Sequence, residues 1–301
     1  MRQLYIRRIG YLLVMLTNAL QAMKGPMPIG NFALPISQQP SPLFSFGQNI
    51  VAKGDKIGYI NPIFLSGHNN KRFFYNEFYF LYGINERLSI FGLLPAPVIN
   101  KQDGVRISGF GDIILQLEYS VFGKQTNTSM TQATIIGSLY FPTGIMQTDE
   151  TDIISAHAPF TGNGALSFFV GGTLSHTTID WYSFASMGGV ITTHAGHRGK
   201  IGNSFFYQGG VGHNLGRYSD KIMMLLLEVD GVRSTRDIIC DDIDLDSGGN
   251  IVYLGPAFYY SNENTIFQAG FQIPVIQNLK GVQAKNSFLL SVSCAHKFNA
   301  Y

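Results

Sequence analysis

From Lys56 to Phe298 the chain repeats one pattern. Segments of roughly ten to fifteen residues alternate apolar and polar side chains, and the connections between them are short, then long, then short again. Asp112-Ile113-Ile114-Leu115-Gln116-Leu117-Glu118-Tyr119-Ser120-Val121 is the clearest case. Ile113, Leu115, Leu117, Tyr119 and Val121 fall on one face, and Asp112, Gln116, Glu118 and Ser120 on the other. Such alternation marks a strand with two unlike faces. Long alternating strands with unequal connections at their two ends predict an all-β chain: a transmembrane antiparallel up-and-down β-barrel.

About twelve strands are expected, near 56–66, 71–83, 87–97, 109–122, 130–142, 164–176, 180–192, 202–215, 221–232, 250–261, 265–275 and 286–298. The connections after even-numbered strands are short: 84–86, 123–129, 177–179, 216–220 and 262–264. Those after odd-numbered strands are longer, above all 144–163, 233–249 and 276–285. Outer-membrane barrels place short turns at the periplasmic end and longer loops outside, and an even strand count leaves both termini inside. A soluble two-layered sheet has no reason to keep that bookkeeping. The first loop, 67–70, is short and departs from it.

Composition agrees. Charged residues make up 13% of the chain, about half the usual ~25%, yet 45% is hydrophobic. No apolar run reaches the ~20 residues of a membrane helix, so the apolar residues are dispersed, as a barrel wall requires. Residues 1–22 read as a secretory signal, with Arg2, Arg7 and Arg8 ahead of a short apolar stretch from Ile9 to Leu16 and small residues at Thr17, Ala19 and Ala22. Removing those arginines takes the formal charge from +2 to −1, which excludes a basic nucleic-acid binder. Residues 23–55, rich in Pro, Gly and Gln with weak periodicity, are expected to form an N-terminal extension or plug-like segment before the barrel of 56–301. Two cysteines, Cys240 and Cys294, make no disulfide framework.

The apolar phase assigns lipid-facing positions. They include Phe74, Phe78, Phe80 and Tyr82, then Leu166, Phe168, Val170 and Leu174, then Met223, Leu225, Leu227 and Val229. Phe267, Phe271 and Ile273 follow, with Phe288, Leu290, Val292 and Phe298 in the last segment. The opposite phase carries Glu77, Asp112, Gln116, Glu118, Gln132, Gln208, Glu228, Asp230, Gln268 and Gln272, the expected lining of a lumen. Carboxylates on several strands, with few bases in phase, predict a preference for cations over anions. The last segment ends in aromatic residues, Phe298 in phase and Tyr301 at the terminus, suited to recognition by the barrel-assembly machinery.

Three stretches, in order, resemble the outer-membrane family named for the MetA pathway of phenol degradation. They are Tyr82-Gly83-Ile84-Asn85-Glu86-Arg87-Leu88-Ser89-Ile90, Gly109-Phe110-Gly111-Asp112-Ile113, and Phe141-Pro142-Thr143-Gly144. The resemblance implies a porin-like barrel passing small molecules, apolar or aromatic ones included. Each motif also has a physical reason: polar turn chemistry at Asn85-Glu86, glycines that permit a bulge or close approach, and a proline where a ladder ends.

Other chemistry is weakly signalled. Asp242-Ile243-Asp244-Leu245-Asp246-Ser247-Gly248 begins like a calcium loop, but Ser247 replaces the turn glycine and Tyr253 the bidentate glutamate, which favours a solvated acidic loop. His194 and His197 fall short of a zinc site. Ser167, Ser175, His176 and His213 have no spacing that groups them as a hydrolytic centre. The expectation is therefore a passive channel or small-molecule transporter in the outer membrane of a Gram-negative bacterium. It needs no cofactor, and its partners are lipid, lipopolysaccharide and solute. A surface barrel binding a partner through its long loops is the alternative.

Overall fold

Alternating side chains leave a strand nowhere to bury its apolar face except against lipid or another layer, and the described residues offer no second layer. The computed structural model describes residues 30–102, 104–145, 161–195, 199–217, 220–239 and 241–298. The expected signal segment, His197, Cys240 and Tyr301 lie outside them. In chain order the strands are β1 (Lys56–Gly67), β2 (Arg72–Asn85), β3 (Leu88–Gln102), β4 (Val105–Gly109), β5 (Ile113–Gln125) and β6 (Ser129–Phe141). They continue as β7 (Ser167–Thr178), β8 (Trp181–Thr192), β9 (Ser204–Arg217), β10 (Lys221–Ser234), β11 (Ile238–Ile239) and β12 (Asp242–Ile243). The last three are β13 (Gly249–Asn262), β14 (Thr265–Leu279) and β15 (Asn286–Phe298).

Sequential neighbours pair antiparallel, and β1 pairs with β15 from Lys56↔Phe298 to Gly67↔Asn286, which closes the sheet. β4 and β5 share one place in the wall: Val98–Gln102 of β3 pairs with β4, and Leu88–Leu93 of β3 pairs with β5. The minor pair β11–β12 decorates a loop. The result is a closed antiparallel barrel of twelve wall strands, as the periodicity predicts. Its long strands hold 12 to 15 residues, more than the ~9–11 needed to cross a bilayer at a tilt.

The outward face is apolar and unpartnered. Leu117 is 48% exposed, Ile135 53% and Val170 69%, although each sits in mid-strand. Such a belt is stable only against acyl chains. Trp181, the first residue of β8, stands at the turn end with its ring 4.4 Å from that of His213, the depth at which amphipathic rings anchor a barrel. One expectation needs correction. The stretch 98–108 is no plain loop but a continuation of β3 and the β4 hairpin, interrupted where Pro95 and Pro97 supply no N–H to the ladder.

Candidate functional site: a lumen filled by residues 30–55

The segment ahead of β1 runs inside the barrel. It enters beside the β7–β8 turn, where the Asn31 N–H donates to the Ile179 carbonyl at 2.8 Å. It crosses to β13, where the Tyr259 hydroxyl donates to the carbonyls of Gln38 and Gln39, both at 2.9 Å. From there it follows the inner wall past β14, β10, β9, β8 and β7, returns over β5 and β3, and leaves at the turn end of β2. Gly54 donates there to the Gly83 carbonyl at 2.9 Å and Gly83 to the Asp55 carbonyl at 3.1 Å. The Lys297 ammonium meets the Asp55 carboxylate at 2.8 Å and fixes the exit to β15.

An irregular segment at membrane depth must find partners for its own N–H groups. Acidic and amide side chains of the wall provide them. Glu228 accepts the N–H groups of Leu43, Phe44 and Ser45 at 2.9, 3.1 and 3.3 Å. Asp230 accepts the Ser45 hydroxyl. Gln208 accepts the Phe46 N–H at 3.0 Å. Glu118 accepts both the N–H and Nδ2 of Asn49, at 2.8 and 2.9 Å. Ser89 accepts the Val51 N–H at 3.1 Å, and Gln268 donates to the Ser41 carbonyl at 2.9 Å.

The ten residues of the polar phase all point inward, but they do different things. Glu118, Gln208, Glu228, Asp230 and Gln268 hold the internal segment. Gln116 donates to Glu118 at 2.7 Å and accepts from Ser138 at 2.8 Å, while Gln272 donates to Asp230. Gln132 donates to Ser120 at 3.1 Å near the turn end. Asp112 lies at the loop end, where it accepts the N–H groups of Gly144 and Asn163 at 3.0 and 2.7 Å and ties the two feet of the 142–166 connection together. Glu77 alone among the acids faces open space, with Asn61 donating to it at 2.9 Å. Three of the five acids are thus occupied by the segment and a fourth by a loop.

A polar lumen is also only half the picture. Toward the turn end the inward side chains are apolar. Ile57, Leu81, Tyr182, Met224, Leu226, Tyr259 and Ala295, drawn from opposite walls, pack with Leu34 and Val51 of the segment into one core. Met224 and Tyr259 have no exposed surface. The signal for this was present: Ile222 to Leu227 is apolar without alternation, the mark of a strand buried on both faces.

The three family-like motifs have structural tasks here. Gly83 faces the segment, and a Cβ there would lie 2.1 Å from the Ala52 carbonyl oxygen. Asn85 caps the β2–β3 turn by accepting the N–H groups of Arg87 and Leu88 at 2.8 and 3.0 Å. The second and third motifs meet: Thr143 Oγ1 donates to the Gly111 carbonyl and accepts the Ile113 N–H, both at 2.9 Å.

Between residues 41–49 and the wall formed by β1, β2, β3, β5, β6, β14 and β15 lies a cavity of about 290 Å³. Tyr59, Tyr75, Tyr79, Phe91 and Tyr140 line it beside Glu77. The Tyr59 and Tyr79 rings are 5.0 Å apart, as are those of Tyr79 and Phe91.

The remaining candidates do not assemble. Ser175 points inward and donates to Gln48 at 2.8 Å, whereas His176 points outward to Thr131 at 2.8 Å. Ser167 is buried inside and His213 lies outside against Trp181. In the acidic loop, Asp244 accepts the Asp246 N–H at 2.9 Å and Asp246 accepts the Val282 N–H at 2.7 Å, which secures neighbouring loops. No group of three or more metal-ligating side chains occurs among the described residues.

Closed barrel, apolar belt and internally bound N-terminal segment together define a membrane-spanning barrel of outer-membrane type with an occupied lumen. Among solved structures, an outer membrane channel from Pseudomonas putida F1 shares the fold with a TM-score of 0.65 at 14% identity, over 86% of this chain and 99% of that one. The NanC porin (10% identity, 81% of this chain, 100% of that one) and LpxR from Salmonella typhimurium (9%, 80% and 100%) both align at a TM-score of 0.44. No protein-family model and no curated protein matches the chain.

Proposed function

We propose that this protein is a channel of the Gram-negative outer membrane that admits small molecules when residues 41–49 leave the lumen. The observation that carries the reading is how the segment is held. It makes no β-ladder with the wall. Its inner stretch hangs on side-chain acceptors, above all Glu118 and Glu228, which are reversible contacts of about 1.5–3 kcal/mol each. A purely structural filling would be expected to join the sheet. The outer membrane channel of the same fold supports this reading, and so do the three motifs similar to the phenol-degradation family. Solute then moves by diffusion along the polar middle of the barrel, past Glu77 and Gln116. Liposome swelling and planar-bilayer conductance test the proposal. The full chain should show low, intermittent permeability, and a chain lacking residues 41–49 should remain open. Equal permeability of the two, or none in either, would overturn it.

A further inference from the structure

The Glu77 cavity has a composition that selects a ligand. Among the described residues lining it, Glu77 is the one with a formal charge; no Lys, Arg or His contributes. Its carboxylate receives a hydrogen bond from Asn61, whose own Oδ1 accepts the Ser291 hydroxyl at 2.8 Å, so the amide is held in the orientation that donates to Glu77. Glu118, Glu228 and Asp112 are occupied by backbone N–H groups, and Asp230 by the Ser45 hydroxyl and the Gln272 amide. Around Glu77 stand aromatic rings, two of them stacked at 5.0 Å. Aromatic faces attract a desolvated cation, and a carboxylate in such a place without a positive partner is costly. The volume, about 290 Å³, sits at the lower end of small-molecule pockets, roughly 300–1,000 Å³. A guest with a single ring fits that scale and a drug-sized one does not.

We infer that the cavity is a binding site for a small organic cation, an amine carrying an apolar or aromatic body, with its ammonium on Glu77 and its body against Tyr59, Tyr79 and Phe91. This rests on the channel reading in that the site lies on the solute's path, but binding itself requires no transport. The site also differs from a ring of carboxylates that attracts any cation. It demands the ammonium and the ring together, and potassium ion satisfies only half of it.

The test is calorimetric titration of the full chain in detergent with 2-phenylethylamine and with its uncharged counterpart 2-phenylethanol. The amine should bind at least tenfold more tightly. That preference should vanish in Glu77→Gln, which keeps the shape and still accepts from Asn61, and should persist in Glu77→Asp. Heat-modifiable gel mobility checks that each variant is folded; if Glu77→Gln fails that check, the comparison of the two probes on the unaltered chain still decides. Equal binding of the probes, no binding of either, or an undiminished preference in folded Glu77→Gln overturns the inference. Permeability measured in parallel separates the two proposals: swelling without amine preference removes this one and leaves the channel standing, while amine binding without any permeability does the reverse.

Discussion

Glu118 grips Asn49 twice, taking its backbone N–H at 2.8 Å and its side-chain Nδ2 at 2.9 Å. The carboxylate has no exposed surface, so removing its partner leaves a buried charge short of donors. Asn49→Ala deletes one of the two bonds and leaves the backbone one. A loss of about 1.5–3 kcal/mol is expected, enough to raise the open fraction some ten- to a hundredfold. Single-channel open probability measures it.

Glu228 carries more of the segment, since three consecutive N–H groups converge on it. In Glu228→Gln one acceptor oxygen becomes an NH2 that faces those donors. One bond is lost where the NH2 takes the place of Oε1 and two where it takes that of Oε2, a cost of at least about 1.5–3 kcal/mol, or roughly ten- to a hundredfold toward the displaced state. Protease cleavage within residues 41–49 should accelerate accordingly, while heat-modifiable mobility, which reports the barrel, stays unchanged.

Gly83 tests the exit of the segment. A side chain there meets the Ala52 carbonyl at 2.1 Å, a backbone atom that cannot step aside as a flexible side chain would. Gly83→Val should unseat residues 51–55 and raise basal conductance. Gly92→Ala, where the added carbon meets nothing within 4 Å, should leave conductance as it is.

The two feet of the 142–166 connection depend on Asp112. Gly144 and Gly162 approach so closely that a Cβ on Gly162 would sit 2.1 Å from the Asp112 carboxylate. Asp112→Ala orphans the N–H groups of Gly144 and Asn163, at about 1–3 kcal/mol each. Faster proteolysis of this connection on intact cells is the expected outcome, with the rest of the barrel protected.

Leu227 reports on the bilayer. It lies in mid-strand with 49% of its surface exposed, so Leu227→Arg should destabilise the barrel in liposomes by about 2–4 kcal/mol, read from urea-induced unfolding. The neighbouring Leu226 faces the inner core and is 1% exposed. Leu226→Ala should cost a similar ~2–5 kcal/mol through a cavity, but it should also loosen the internal segment, which Leu227→Arg should not.

The barrel was legible because its rule is local: every second residue of β5 faces lipid, and that shows in ten consecutive letters. The segment's place inside the lumen was less legible for the opposite reason. Residues 41–49 make no ladder, so no period marks them, and their anchors lie far along the chain, as with Leu43 and Glu228, 185 residues apart. The polar phase located the inner wall but not its assignments, because an acid lining water and an acid receiving backbone N–H groups are spelled alike. Ile222 to Leu227 held the missing hint, since apolar residues on both faces of a barrel strand require something apolar inside. The β3–β4 extension was less legible, because the expected strand 87–97 stops at Pro97, which supplies no N–H, whereas the register shift between Tyr75 and Glu77 lets pairing resume at Val98.

The Lys297–Asp55 ion pair and the direct run from Gly54 into β1 give the stopper a leash. Once displaced, residues 41–49 stay within reach of their own binding wall, and reseating is a unimolecular event at an effective concentration in the millimolar range. Resealing is therefore independent of how much protein the membrane holds, and a free peptide copying that stretch would compete poorly at ordinary doses.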